Sequence, residues 1–122
     1  MTGRVNAALD AVLPVEVYGA NGQTTAYDAV IDTGFNGFLT LPAHAIQALV
    51  LPLAGYVDAI LGDGSPIELG LFRARVRWNR TDRAVHVLEA EGGPLVGTAL
   101  LRNFQLRVHF VQGGAVTVTR PD

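Results

Sequence analysis

A chain of 122 residues can bury one core and has little room for a second, so one domain is expected over residues 12–122, preceded by a flexible segment at 1–11. A composition that is 49% hydrophobic and 16% charged, with no clean apolar run of membrane-spanning length, is that of a globular protein and argues against a membrane span. A net charge of −2 offers no general attraction to nucleic acid or an anionic membrane, and the lack of cysteine removes disulfides, thiolate metal sites and a cysteine nucleophile together.

The first ten residues carry one arginine but no sustained apolar stretch of the secretory kind, so the cytoplasm is the expected compartment. Leu13 to Tyr18 alternates apolar and polar side chains, Asn21-Gly22 supplies a tight turn, and Thr24 to Ile31 completes a hairpin. Pro42 to Leu49 has proline at a helix start with Ile46 and Leu49 at helical spacing, which predicts a short helix. Tyr56 to Leu61 and Ile67 to Trp78 read as strand arms around Gly62-Asp63-Gly64-Ser65-Pro66, a cluster that neither strand can absorb, giving a long hairpin with a mobile tip.

Asn79 to Asp82 is a polar break before a strand at Ala84 to Leu88. After Gly92-Gly93-Pro94, Thr98 is placed to cap a second short helix carrying Leu100, Leu101 and Phe104. A final hairpin pairs Leu106–Val111 with Ala115–Thr119 around Gln112-Gly113-Gly114. The pattern as a whole is mainly β with one or two short helices.

The residue that asks for an explanation is Asp32, an acid that follows the apolar run Ala29-Val30-Ile31 and opens the loop Thr33-Gly34-Phe35-Asn36-Gly37. Its plain reading is an Asx turn, with Asp32 accepting from nearby backbone and the glycines providing the bend. Its surroundings carry a second reading. A hydrophobic strand, Asp32-Thr33-Gly34, and then the apolar Phe38-Leu39-Thr40-Leu41 resemble the active-site loop of clan AA aspartic proteases, closest to their small, retropepsin-like bacterial members. Leu61-Gly62-Asp63-Gly64-Ser65 resembles the flap of that group, and Pro94-Leu95-Val96-Gly97-Thr98-Ala99-Leu100-Leu101 resembles its hydrophobic-hydrophobic-Gly loop and following helix. The three stretches occur in the family's order, and with the strands between them the resemblance covers about residues 12–119.

The resemblance implies an all-β, closed-barrel acid-protease fold and an endopeptidase acting on extended polypeptide, without metal or other cofactor. Amide hydrolysis of this kind takes one carboxylate as base towards water and another as acid towards the leaving amine. The chain has one Asp-Thr-Gly, and Leu95-Val96-Gly97 stands where a two-lobed enzyme would carry the other, so the resemblance implies a homodimer that pairs two copies of Asp32. In that frame Thr33 hydrogen-bonds across the two-fold axis, Gly34 allows close backbone approach, and Gly62, Asp63, Gly64 and Ser65 close over the substrate. The strands of the terminal hairpin are the candidate dimer interface. Phe35 departs from the Ala or Ser that many retroviral and pepsin-like enzymes carry after Asp-Thr-Gly, and it offers no hydroxyl to the catalytic carboxylate.

Other features read more plainly. Arg73, Arg75 and Arg77 alternate with Phe72, Ala74, Val76 and Trp78, the pattern of a solvated strand face rather than a nucleic-acid stripe in a net acidic chain. His44, His86 and His109 lack the local spacing of a zinc site, and Asp58, Asp63 and Glu68 do not match a calcium loop. Gly62-Asp63-Gly64 lacks the third glycine of a dinucleotide loop, and Asn79-Arg80-Thr81 matches a glycosylation acceptor only formally. Two rivals to the protease remain: a silent dimeric peptide-binding or assembly module on the same fold, and an unrelated β domain with an incidental Asp-Thr-Gly turn.

Overall fold

Period-two burial governs most of the computed structural model, which describes residues 1–121. The elements in chain order are β1 (Thr2–Val5), β2 (Ala11–Tyr18), β3 (Thr24–Ile31), β4 (Leu39–Leu41), α1 (Ala43–Leu49), β5 (Leu53–Ile60), β6 (Pro66–Trp78), β7 (Thr81–Glu89), β8 (Leu95–Val96), α2 (Thr98–Leu101), β9 (Gln105–Val108) and β10 (Ala115–Thr119). The fold is therefore mainly β with two short helices. The strands run β5-β6-β7-β4-β8-β3-β2-β1-β10-β9, and β2 also meets β6. That last contact joins only Val17 to Val76 and Tyr18 to Arg75, while β2 and β3 pair from Val12↔Val30 to Tyr18↔Thr24, so the ring of strands is uneven.

On β2, Leu13, Val15 and Val17 are buried while Pro14 and Glu16 face solvent, which fixes the register because a one-residue slip would invert both faces. On β6, Val76 and Trp78 are buried and Arg73, Arg75 and Arg77 exposed, so the arginines form a solvated face. Arg77 there lies 3.5 Å from Asp82, and Arg75 sits over the Tyr18 ring. Leu39, Leu41, Ile46, Leu49, Val85, Val87, Leu100 and Val118 complete the main core around Trp78, whose ring meets Phe104 edge to face at 6.0 Å.

Three local expectations change. The first concerns the segment at 1–11, expected to be flexible. Thr2–Val5 instead forms β1 between β10 and β2, with Val5 buried against Ala11 and Val116. Four residues carrying one large apolar side chain give too short a pattern to read. Second, the break at Asn79 to Asp82 shrinks to a two-residue turn. Asn79 and Arg80 take φ of 49° and 71°, as a tight hairpin of right-handed twist requires, and Thr81 and Asp82 already pair with Trp78 and Arg77. Third, Thr98 does not cap α2, and the helix stops before Phe104: Gly97 takes the N-cap position, the Thr98 hydroxyl donates to the Phe35 carbonyl at 3.4 Å, and α2 ends at Leu101.

The helix expected at Pro42 to Leu49 forms as α1 with Pro42 at its N-cap. It ends on Val50 in the left-handed conformation, where Leu51 N–H returns to the Ile46 carbonyl. The expected hairpins at β2–β3, β5–β6 and β9–β10 are all present, although β9 ends at Val108 and not at the expected Val111. No helix among the described residues is long and apolar enough to cross a membrane.

Candidate functional site

The site begins where β3 ends. Val30 and Ile31 run parallel to Leu95 and Val96, and the ladder's next bond, Asp32 N–H to Val96 O at 2.9 Å, carries the register one residue past the strand. Beyond it the chain has to turn. Phe35 N–H bonds the Asp32 carbonyl at 3.1 Å, and Gly34 N–H donates to Asp32 Oδ1 at 2.9 Å. The Asx-turn geometry is thus present, and it leaves Oδ2 of a half-buried carboxylate beside exposed Thr33 and Gly34.

The rest of the loop is clasped by the second hydrophobic-Gly segment. Gly97 N–H bonds Phe38 O at 3.0 Å, Thr98 N–H bonds Phe35 O at 2.9 Å, and Ala99 N–H bonds Gly37 O at 3.1 Å. Below them, the buried Thr40 hydroxyl accepts from Leu95 N–H at 2.9 Å. So close an approach needs Gly97 to be glycine: a Cβ there would fall on the Gly37 carbonyl oxygen and lie 2.6 Å from Phe35 Cδ2. The structure therefore brings Asp32, Thr33 and Gly34 together with Leu95, Val96 and Gly97.

Phe35 is the residue whose position the sequence did not reveal. Its ring packs over Gly37 and Gly97, since side chains added at either glycine would collide with it. Two glycines flanking an aromatic residue were the available signal, though only the fold makes Gly97 a neighbour.

Gly62, Asp63 and Gly64, all exposed, and half-buried Ser65 form the tip joining β5 to β6. Leu61 N–H bonds Ser65 O and Gly64 N–H bonds Leu61 O, both at 2.9 Å. Asp63 Oδ1 accepts from the Ser65 amide at 2.9 Å and from the Ser65 hydroxyl. The hydroxyl first, and then the amide, hold the Asp63 carboxyl below the usual carboxylate range. These bonds all lie within the tip, and none joins it to the Asp32 loop.

What joins hairpin and loop is an apolar cavity of about 400 Å³ between Phe35–Leu39, Val57 of β5, Leu71 of β6, and His86 and Leu88 of β7. Neither Asp32 nor Gly62–Ser65 lines it. A groove of about 540 Å³ over β1, β2 and β10, which includes Arg4 and Asp28, shares no residue with the Asp32 loop. Among the described residues, no three His, Asp or Glu side chains converge as a metal site would require.

No family model matches the chain, and no curated protein matches it significantly.

Proposed function

We propose that the chain is one subunit of a homodimeric aspartic endopeptidase of the retropepsin-like kind, its uneven ring of strands serving as the acid-protease barrel. The observation that carries this reading is the clasp around Asp32: a half-buried carboxylate, one oxygen fixed by Gly34 N–H, on a loop held by three backbone bonds from Gly97, Thr98 and Ala99. A plain Asx turn needs the first bond and none of the other three. Rigid placement of an acid to within a fraction of an ångström is a requirement of catalysis.

One subunit supplies one such carboxylate. With a second Asp32 from a partner, two carboxylates in close contact cannot both ionise cheaply, so they share a proton and titrate as a pair. The ionised member takes a proton from water as that water attacks the amide carbonyl. The protonated member donates to the departing nitrogen. Exposed Thr33 is available to bond across the two-fold axis, and exposed Gly34 leaves room for the substrate backbone. The 400 Å³ cavity receives an apolar side chain of an extended peptide, and the β5–β6 hairpin closes over it. β10 is already partnered by β1 and β9, so of the terminal hairpin it is the free edge of β9 that offers a ladder to a second subunit.

A silent peptide-binding dimer is the second reading. It draws on Phe35, whose ring occupies the space over Gly37 and Gly97 and offers no hydroxyl to the carboxylate. Cleavage of a diverse peptide library by wild type and Asp32→Asn, from acidic to neutral pH, separates the two. Cleavage by the wild type alone supports the enzyme, and peptide binding without cleavage by either supports the module.

A further inference from the structure

A second hollow adjoins the apolar cavity and shares Asn36 and Phe38 with it. It measures about 490 Å³ and is completed by Arg83, Thr98, Ala99 and Arg102. Two arginines line it and no acidic residue does. Arg83 is half-buried, with Nη1 donating to the Leu100 carbonyl at 3.0 Å, which pins the group by one corner and leaves its other N–H donors unused by that bond. Arg102 follows α2 directly and is exposed. The ion pair formed among the described residues is Arg77 with Asp82, so neither arginine of the hollow is neutralised there.

Like charges gathered in a concave, partly desolvated place repel each other, and an anion between them relieves that repulsion. Planar guanidiniums match a carboxylate through paired N–H···O bonds. The hollow is also continuous with the loop that carries Asp32, because Asn36 belongs to that loop and Thr98 N–H bonds Phe35 O. We infer that this hollow is an anion subsite that takes a carboxylate of the polypeptide substrate, within two residues of the apolar side chain seated in the neighbouring cavity. The inference rests on the peptide-cleft reading of the Asp32 site. It gives the substrate a chemical class, an apolar residue with an acidic neighbour. Alternate side chains of an extended strand fall on one face about 7 Å apart, which suits two adjoining hollows that share Asn36 and Phe38.

The test uses fluorescein-labelled decapeptides with one central Phe, carrying Glu or Gln at each other position in turn, with amidated or free C-termini. Binding to the Asp32→Asn protein is read by anisotropy and cleavage is read with the wild type. Among amidated peptides, Glu within two residues of Phe is expected to bind about tenfold tighter than Gln. The preference should shrink as salt rises and fall below about twofold in Arg102→Gln, an exposed position where the change is expected to leave the fold intact. Arg83→Gln is expected to act in the same direction. A preference confined to free C-termini, and lost in Arg102→Gln, assigns the subsite to a chain end instead of a side chain. Equal binding of Glu and Gln peptides, no binding of either, or a preference that survives both arginine substitutions overturns the inference. Asp32-dependent cleavage without Glu preference sinks the subsite alone, whereas an arginine-dependent preference without cleavage sinks the protease reading and leaves the subsite standing.

Discussion

Replacing Gly97 with alanine should unfasten the Asp32 loop. The added methyl would fall on the Gly37 carbonyl oxygen and lie 2.6 Å from Phe35 Cδ2 and 2.7 Å from the Phe35 carbonyl oxygen. Comfortable non-bonded separations are about 3.5–4.0 Å, so the two segments have to part by about 1 Å. The bonds from Gly97, Thr98 and Ala99 to Phe38, Phe35 and Gly37, now 2.9–3.1 Å long, cannot all survive that movement. Overpacking of this kind costs about 1–3 kcal/mol. Each lost backbone bond adds about 1 kcal/mol, so losing two gives a total of about 3–5 kcal/mol. With a urea slope of about 1–3 kcal/mol per molar, the unfolding midpoint should fall by about 2 M. Trp78, the single tryptophan and fully buried, reports the transition by fluorescence. A shift below about 0.5 M would refute the view that the second hydrophobic-Gly segment clamps the loop.

Three further outcomes follow from neighbouring features. Thr40→Val keeps the side-chain shape but leaves Leu95 N–H without its acceptor, so stability should fall by about 1–3 kcal/mol in chemical denaturation; an unchanged midpoint would contradict the bond's role. Val5→Ala removes buried hydrocarbon from β1 and should cost about 2 kcal/mol, whereas a frayed N-terminus would make it silent. At the hairpin tip, the folded pKa of Asp63 is depressed, so its bonds to Ser65 are fully made at and above the ordinary carboxylate range and are lost only as pH falls through the depressed value. The Ser65 amide resonance should therefore titrate at lower pH than in a short unfolded peptide of the same local sequence. A midpoint equal to or above the peptide's would contradict this, and Asp63→Asn should remove the step.

The alternation along Leu13–Tyr18 and Phe72–Trp78 made the large hairpins legible, because each buried face repeats every second residue over a full strand. The same logic failed for β1 and could not settle β8, which has two residues and is defined by its neighbours β3 and β4. Thr98 was misread because a hydroxyl before an apolar run is a capping signal. Here the Phe35 carbonyl, distant in sequence, receives that hydroxyl, while Gly97 lies too close to Gly37 for any side chain. At the site, Asp32-Thr33-Gly34 and Leu95-Val96-Gly97 were visible as separate signals. Their mutual grip was not, since it consists of backbone bonds that no residue identity encodes. The apolar cavity was hidden for a related reason: Val57, Leu71, His86 and Leu88 come from three strands and meet only through β-sheet register.

The central claim is that hydrolysis needs two copies of Asp32, one from each subunit, and subunit mixing tests it directly. Asp32→Asn retains an Oδ1 able to accept from Gly34 N–H, so the variant should fold and exchange into dimers. Wild-type protein cleaving a reporter peptide is titrated with the variant at concentrations where dimers form and exchange. If both carboxylates are required, a ninefold excess of variant should leave about one-tenth of the starting activity, because most wild-type subunits then sit in mixed, inactive dimers. Activity that stays at its starting level despite demonstrated exchange would contradict the shared dyad.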